Sequence, residues 1–302
     1  MSRRGSGEEQ DQSGGGLRNF ILARITQSGP IPFSRFMEWC LYHPDYGYYQ
    51  SGEAAVGKGG DYYTAPSVHP LFGCMVARQL AQMSELVGTE RFTVVETGAG
   101  RGFLCLDILD WARGNAPAFY GRLDYRLADV SRPFVAEQKE RLALHAADGK
   151  VSWEGEETGE TSGREIDGCF LSNELVDAFP VHRVVVRDGR LREIYVGERD
   201  GVFVDVPGDL STPEIGEYFK PDGVELREGQ EAEVNLRARQ WMGNMGRRVR
   251  RGFVLTIDYG CLAEELYAPW RSSGTIMCYH RHRASGDPYE RVGEQDITAH
   301  VN

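Results

Sequence analysis

From Phe92 onward the chain alternates apolar runs of strand length with apolar residues at helical spacing. Phe92–Glu96, Leu123–Asp129, Val151–Trp153 and Ile166–Leu171 read as strands. Phe103–Arg113 and Pro133–His145 read as helices between them, the second opened by a Ser131 cap with proline in its first turn. Such alternation predicts an α/β fold, with a parallel sheet covered by helices on both faces. Upstream, Leu17–Ile25 carries a helical pattern, Phe33, Phe36, Met37 and Cys40 share one helical face, and Pro70–Leu86 reads as a long amphipathic helix. Downstream the period changes. β-rich runs separated by Asp188-Gly189 and Asp200-Gly201 predict an antiparallel insertion at about 181–206. Glu231–Arg248 then reads as helix and "GFVLTIDYG" (252–260) as a buried strand, before a mixed tail. The expected organisation is a flexible tail at 1–16, a helical and loop cap at 17–90, and a sheet domain at 91–302 that carries the insertion.

Composition narrows the function classes. The chain has 302 residues, 41% of them apolar, enough for a substantial core. Its net charge of −11 argues against a general nucleic-acid or membrane-surface binder and suits a cationic partner better. The six cysteines form no C-x-x-C pair, so neither a zinc site nor a disulfide framework is expected; Cys105 and Cys169 sit in apolar runs as buried thiols. The start "MSRRGSGEEQDQSGGG" lacks the apolar core of a signal peptide and its acids argue against a transit segment. No run reaches the ~20 apolar residues of a membrane span. These features predict a cytoplasmic protein.

The chemistry is carried by "FTVVETGAGRGFL" (92–104), a strand, a glycine-rich turn and a helix start. The glycines are Gly98, Gly100 and Gly102; a dinucleotide turn needs its third glycine where Phe103 stands, and a phosphate loop needs a Gly-Lys-Ser/Thr that is missing. Glu96 ends the strand just before the turn, where a carboxylate repels a pyrophosphate and favours a ligand with an ammonium and a sulfonium. S-adenosylmethionine carries both. Asp129 ends the second strand, where a carboxylate can accept both hydroxyls of a ribose. Together these residues predict a Rossmann-like class I methyltransferase sheet, with Glu96, Gly98, Gly100, Gly102 and Asp129 as cofactor residues. Asp61 and Thr64 of "GDYYTAP" either lie over the cofactor or belong to a packed loop.

The acceptor side is expected in the loop after the fourth strand, "SNELVDAF". Asn173, Glu174 and Asp177 supply an amide and two carboxylates there. A guanidinium is cationic and planar, and carboxylates can hold its fork while one nitrogen faces the methyl group. Glu174 is the first candidate to hold the acceptor and receive its proton, Asp177 the second; the alternative is that Asn173 or Asp177 caps a following helix. Tyr46, Tyr48 and Tyr49 read as core or lid, and Trp153 as adenine pocket or core. His280 and His282 lack a third ligand nearby, so no metal is expected.

The motifs "HPDYGYY", "GDYYTAPSVHPLFG", "ETGAGRGFLCLDIL", "SNELVDAFPVHRV", "LTIDYG", "GTIMCYHRH" and "GEQDITAHVN" follow one another as in a known family. Over about 17–302 the chain resembles the MidA-like S-adenosylmethionine-dependent methyltransferases, which include mitochondrial arginine methyltransferases of complex I assembly. The resemblance implies methylation of an arginine in a protein, with symmetric dimethylation of a respiratory complex I subunit by the mitochondrial members. By position it assigns Glu96, Gly98, Gly100 and Asp129 to the cofactor, and Asn173 with Glu174 to the acceptor. Ser67 replaces an acid and Thr97 an aliphatic residue of relatives, departures that bear on the substrate entrance and on packing. Relatives continue beyond "DITAHV", so a further C-terminal portion is expected. A small-molecule or RNA acceptor keeps the same cofactor site, with "RRVRR" (247–251) as the one short basic cluster; a non-catalytic assembly factor keeps the fold alone.

Overall fold

A computed structural model describes residues 12–51, 65–154 and 163–302. In chain order, α1 (Gln12–Ser28), β1 (Ile31–Pro32), α2 (Phe33–Tyr42), α3 (Ala65–Val68) and α4 (Leu71–Val87) precede the first strand of the main sheet. That sheet region runs β2 (Phe92–Thr97), α5 (Phe103–Asn115), α6 (Pro117–Arg122), β3 (Leu123–Ala128), α7 (Arg132–Arg141), α8 (Ala143–Ala147), β4 (Val151–Glu154) and β5 (Ile166–Asn173). Then come β6 (His182–Arg187), β7 (Arg190–Arg199), β8 (Val202–Gly208), α9 (Pro213–Glu217), β9 (Glu231–Val234), α10 (Leu236–Arg248) and β10 (Val249–Ile257). The last elements are α11 (Ala263–Leu266), β11 (Met277–His280), β12 (Arg283–Ser285) and β13 (Asp296–Thr298).

The α/β expectation holds. β10, β5, β2, β3 and β4 form a parallel sheet in that order, so the chain steps outward from β2 through β3 to β4 and then returns to β2's other side at β5. The carboxyl ends of β2 and β5 therefore flank the switch point, where open α/β sheets bind their ligands. One face is sealed by α4 and α5: Val76, Leu80 and Met83 pack with Ile108 and Leu109 over Phe92, Val94 and Leu171. The Ser131 cap forms, its hydroxyl accepting from the Phe134 amide.

Five expectations are corrected. The N-terminal helix begins at Gln12, inside the stretch expected to be a flexible tail. The insertion is larger than a run at 181–206: β6, β7 and β8 are joined by β9 on one side and by β1 on the other, Ile31 pairing with Val196. Glu231–Val234 is thus a strand, and the helix expected from Glu231 starts only after the Asn235 cap, whose side chain accepts from the Ala238 amide at 2.8 Å. "EAEV" is too short for its alternation to outweigh the helix propensity of Glu and Ala. Finally, β10 is an edge strand of the main sheet and partly exposed, not a buried one. The stretch 17–90 does not gather into one unit: α1 and α2 pack with the antiparallel sheet through Leu17, Ile21, Phe36, Val196 and Phe203, whereas α4 belongs to the main core.

Candidate active site

At the switch point the backbone of 98–102 must turn sharply, and φ is positive at Gly98 (69°), Gly100 (54°) and Gly102 (78°). Three contacts lock the turn. The Gly98 amide donates to Ala128 O (2.8 Å), the Gly100 amide to Asp129 Oδ2 (2.9 Å), and Gln138 Nε2 donates to Gly100 O (2.6 Å). Asp129 also accepts from the Ser131 amide (2.9 Å) and from Gln138 Nε2 (3.2 Å). Its carboxylate thus ties the glycine turn to the start of α7, a bracing task that the strand-end position alone does not reveal. Burial pushes its pKa up to about 6 against these donors.

Glu96, only 2% exposed, accepts from Tyr125 Oη at 2.6 Å. Burial holds its carboxyl up at about 7; the Tyr125 bond opposes this and the nearby Asp129 adds to it. Glu96, Gly98, Gly100 and Asp129 line a cavity of about 830 Å³, open mouth included, together with Asn173 and Glu174. A Cβ at Gly100 would meet nothing within 4 Å, so the turn's backbone is open to an occupant.

The expected acceptor residues begin where β5 ends. Glu174 takes a left-handed conformation (φ 49°), its amide donates to Ile257 O at 2.9 Å, and its carboxylate accepts from Asn173 Nδ2 (3.3 Å) and the Ala65 amide. Burial raises its pKa, with Asp258 adding to the rise against those two donors. Glu174 and Tyr49 line the first cavity and also a second one of about 1140 Å³, which carries Asp177, Tyr259, Tyr279 and Asp296. Burial, then Asp258, Asp296 and Glu174, push Asp177 well above the usual carboxylate range. No helix follows Asn173: residues 174–181 form a turn, so the capping alternative for Asn173 and Asp177 falls away.

Not every candidate joins the site. Gly102 lies off both cavity walls and caps α5, where a Cβ would lie 3.2 Å from Gln138 Cγ. Asp61 and Thr64 fall outside the described residues. Trp153 lines neither cavity and donates from Nε1 to Gln138 Oε1 at 3.0 Å. Tyr48 is core; Tyr46 is among the exposed large side chains. His282 stands on the second cavity's wall, while His280 Nδ1 donates to Glu294 O at 2.9 Å. Sequence reasoning missed Asp258, Tyr259, Tyr279 and Asp296. "LTIDYG" held the one usable signal, an acid at a strand's carboxyl end.

The sheet and the cavity at its switch point place the chain in the class of Rossmann-like methyltransferases. A model of the family described as "Putative S-adenosyl-L-methionine-dependent methyltransferase" matches residues 75–302, and the chain belongs to that family. The MidA-like resemblance is borne out, and S-adenosylmethionine is the family's cofactor. A crystal structure of a superfamily member from Burkholderia thailandensis, bound to S-adenosyl-homocysteine, is 33% identical with a TM-score of 0.87, over 100% of this chain and 77% of that one. A "Protein arginine methyltransferase NDUFAF7 homolog, mitochondrial" of Drosophila melanogaster is 26% identical over 95% of this chain and 68% of its own length. Its Caenorhabditis elegans counterpart is 27% identical over 95% and 70%. These mitochondrial names overturn the expectation of a cytoplasmic protein. Among the described residues no helix is long and apolar enough to cross a membrane.

Proposed function

We propose that this methyltransferase acts on the guanidinium of an arginine in a protein. The observation that carries the proposal is the second cavity: it shares Glu174 and Tyr49 with the first and presents Asp177 and Asp296 among tyrosines. Acids between aromatic rings suit a planar cation. The relatives named as protein arginine methyltransferases support the same acceptor. A respiratory complex I subunit is the candidate protein that the MidA-like resemblance supplies.

In this reading the cofactor cavity holds S-adenosylmethionine, which supplies an electrophilic methyl group on sulfur. Glu96 and Asp129 would hold its ammonium and ribose ends, where Gly98 and Gly100 line the cavity and Gly100 leaves the backbone open to it. Glu174 lines both cavities, and Asn173 stands beside it on the first. Glu174 would orient one guanidinium nitrogen towards the first cavity and accept the proton that this nitrogen sheds when it takes the methyl group from sulfur, whose S–C bond breaks to leave S-adenosylhomocysteine. Burial raises the Glu174 pKa, which makes it a stronger base than an exposed carboxylate. Asp177 and Asp296 hold the rest of the cation.

Glu174→Gln keeps the shape and removes the base. Binding of S-adenosylhomocysteine by calorimetry should stay within about threefold of wild type, while methyl transfer falls by roughly 10²–10⁴-fold. Transfer at the wild-type rate would remove Glu174 from the mechanism.

A further inference from the structure

We infer that Asp258 is a positioning residue for methyl transfer, whose carboxylate folds the loop that presents Glu174. The inference rests on reading residues 173–178 as the acceptor loop. After β5 the chain must reverse, and Glu174 does so in a left-handed conformation that is unfavourable for a side chain with a Cβ. Something has to hold it there. β10 runs parallel to β5 with Ile257 paired to Asn173, so the residue after Ile257 stands beside the loop. That residue is Asp258. Its Oδ2 accepts from the Leu175 amide (3.1 Å) and the Val176 amide (2.8 Å), and its Oδ1 from its neighbour Tyr259 (2.8 Å). The Asp177 amide donates to the same carboxylate. Successive N–H groups converging on one anion form a nest, and here the anion comes from a strand 82 or 83 residues away.

Asp258 lines neither cavity, so its effect on chemistry passes through the loop. The loop in turn reaches the cofactor turn: a Cβ at Gly98 would lie 2.6 Å from Leu175 Cδ1. One carboxylate therefore sets both the direction of Glu174 and the Leu175 wall beside the glycine turn.

The test compares Asp258→Ala, Asp258→Asn and Glu174→Gln in the full chain. Hydrogen exchange by mass spectrometry should quicken at 174–178 in Asp258→Ala by roughly tenfold or more, since bonds to a charged acceptor are lost. Exchange in β2 and β3 should stay as in wild type. Asp258→Asn keeps an acceptor oxygen and should recover most of the protection, and Glu174→Gln should show none of the loss. With labelled S-adenosylmethionine and an arginine-rich peptide, Asp258→Ala should lower kcat by about tenfold or more, with KM for S-adenosylmethionine changed less. Unchanged exchange at 174–178, or loss spread evenly over the sheet, overturns the inference. If the wild type transfers nothing to arginine peptides, the acceptor reading fails, and the exchange pattern still decides what Asp258 does.

Discussion

The site turns on a few residues whose backbone and charge are both unusual. Gly98 has a left-handed φ and lies against Leu175, so Gly98→Val meets strain and a clash together. S-adenosylhomocysteine affinity should fall by roughly tenfold to a hundredfold by calorimetry, in a protein whose circular dichroism is unchanged. Glu96 gives a pH signature. Its folded pKa of about 7 exceeds its ordinary value of 4.5. Its contribution to stability is therefore present below pH 4.5 and is lost as pH rises through about 7, at most about 3 kcal/mol for the unliganded protein. A cationic ammonium favours the ionised carboxylate, so the affinity for S-adenosylmethionine should climb as pH rises through about 7. A flat affinity, or the same climb in Glu96→Gln, would show that Glu96 does not face the ammonium. Glu96, Gly98, Gly100 and Asp129 were legible because each stands at a strand end or in the turn beside it. The bracing of Asp129 by Gln138 was not, since nothing in the chain pairs residues from different helices and loops.

Among the elements, the parallel sheet depends on a row of close backbones. Gly168 in β5 is paired with Thr93 in β2 and Gly252 in β10, and a Cβ on Gly168 would lie 1.8 Å from the Thr93 carbonyl oxygen. Gly168→Ala should destabilise the fold by about 3 kcal/mol or more, read as a lower urea midpoint. An unchanged midpoint would mean that β2 and β5 do not meet in this register. The strands of this sheet were readable from apolar runs, and α4 and α5 from their spacing. β1, β9 and β13 were not: each is four residues or fewer, too short for a period to register, and exists through its partner strand. β10 misled for another reason. Its apolar content matches a central strand, but strand order is a property of the sheet and places it at the edge.

At the scale of the molecule, two cores share one site. The main sheet supplies the ends of β2, β3 and β5, while β11–β13 supply Tyr279, Asp296 and the far wall of the second cavity, with Tyr49 bridging through its hydroxyl to Asp296 Oδ1 at 2.8 Å. The second cavity is thus assembled from segments as far apart as Tyr49 and Asp296, which is why the sequence disclosed the first cavity and little of the second. A net charge of −11 agrees with a cationic acceptor without specifying one. The most direct measurement is amino-acid analysis of a cell extract's proteins after incubation with the enzyme and methyl-labelled S-adenosylmethionine. Label in methylarginine is expected with the wild type, and at most a trace with Glu174→Gln. Label recovered in another residue, in RNA or in a small molecule would contradict the arginine acceptor.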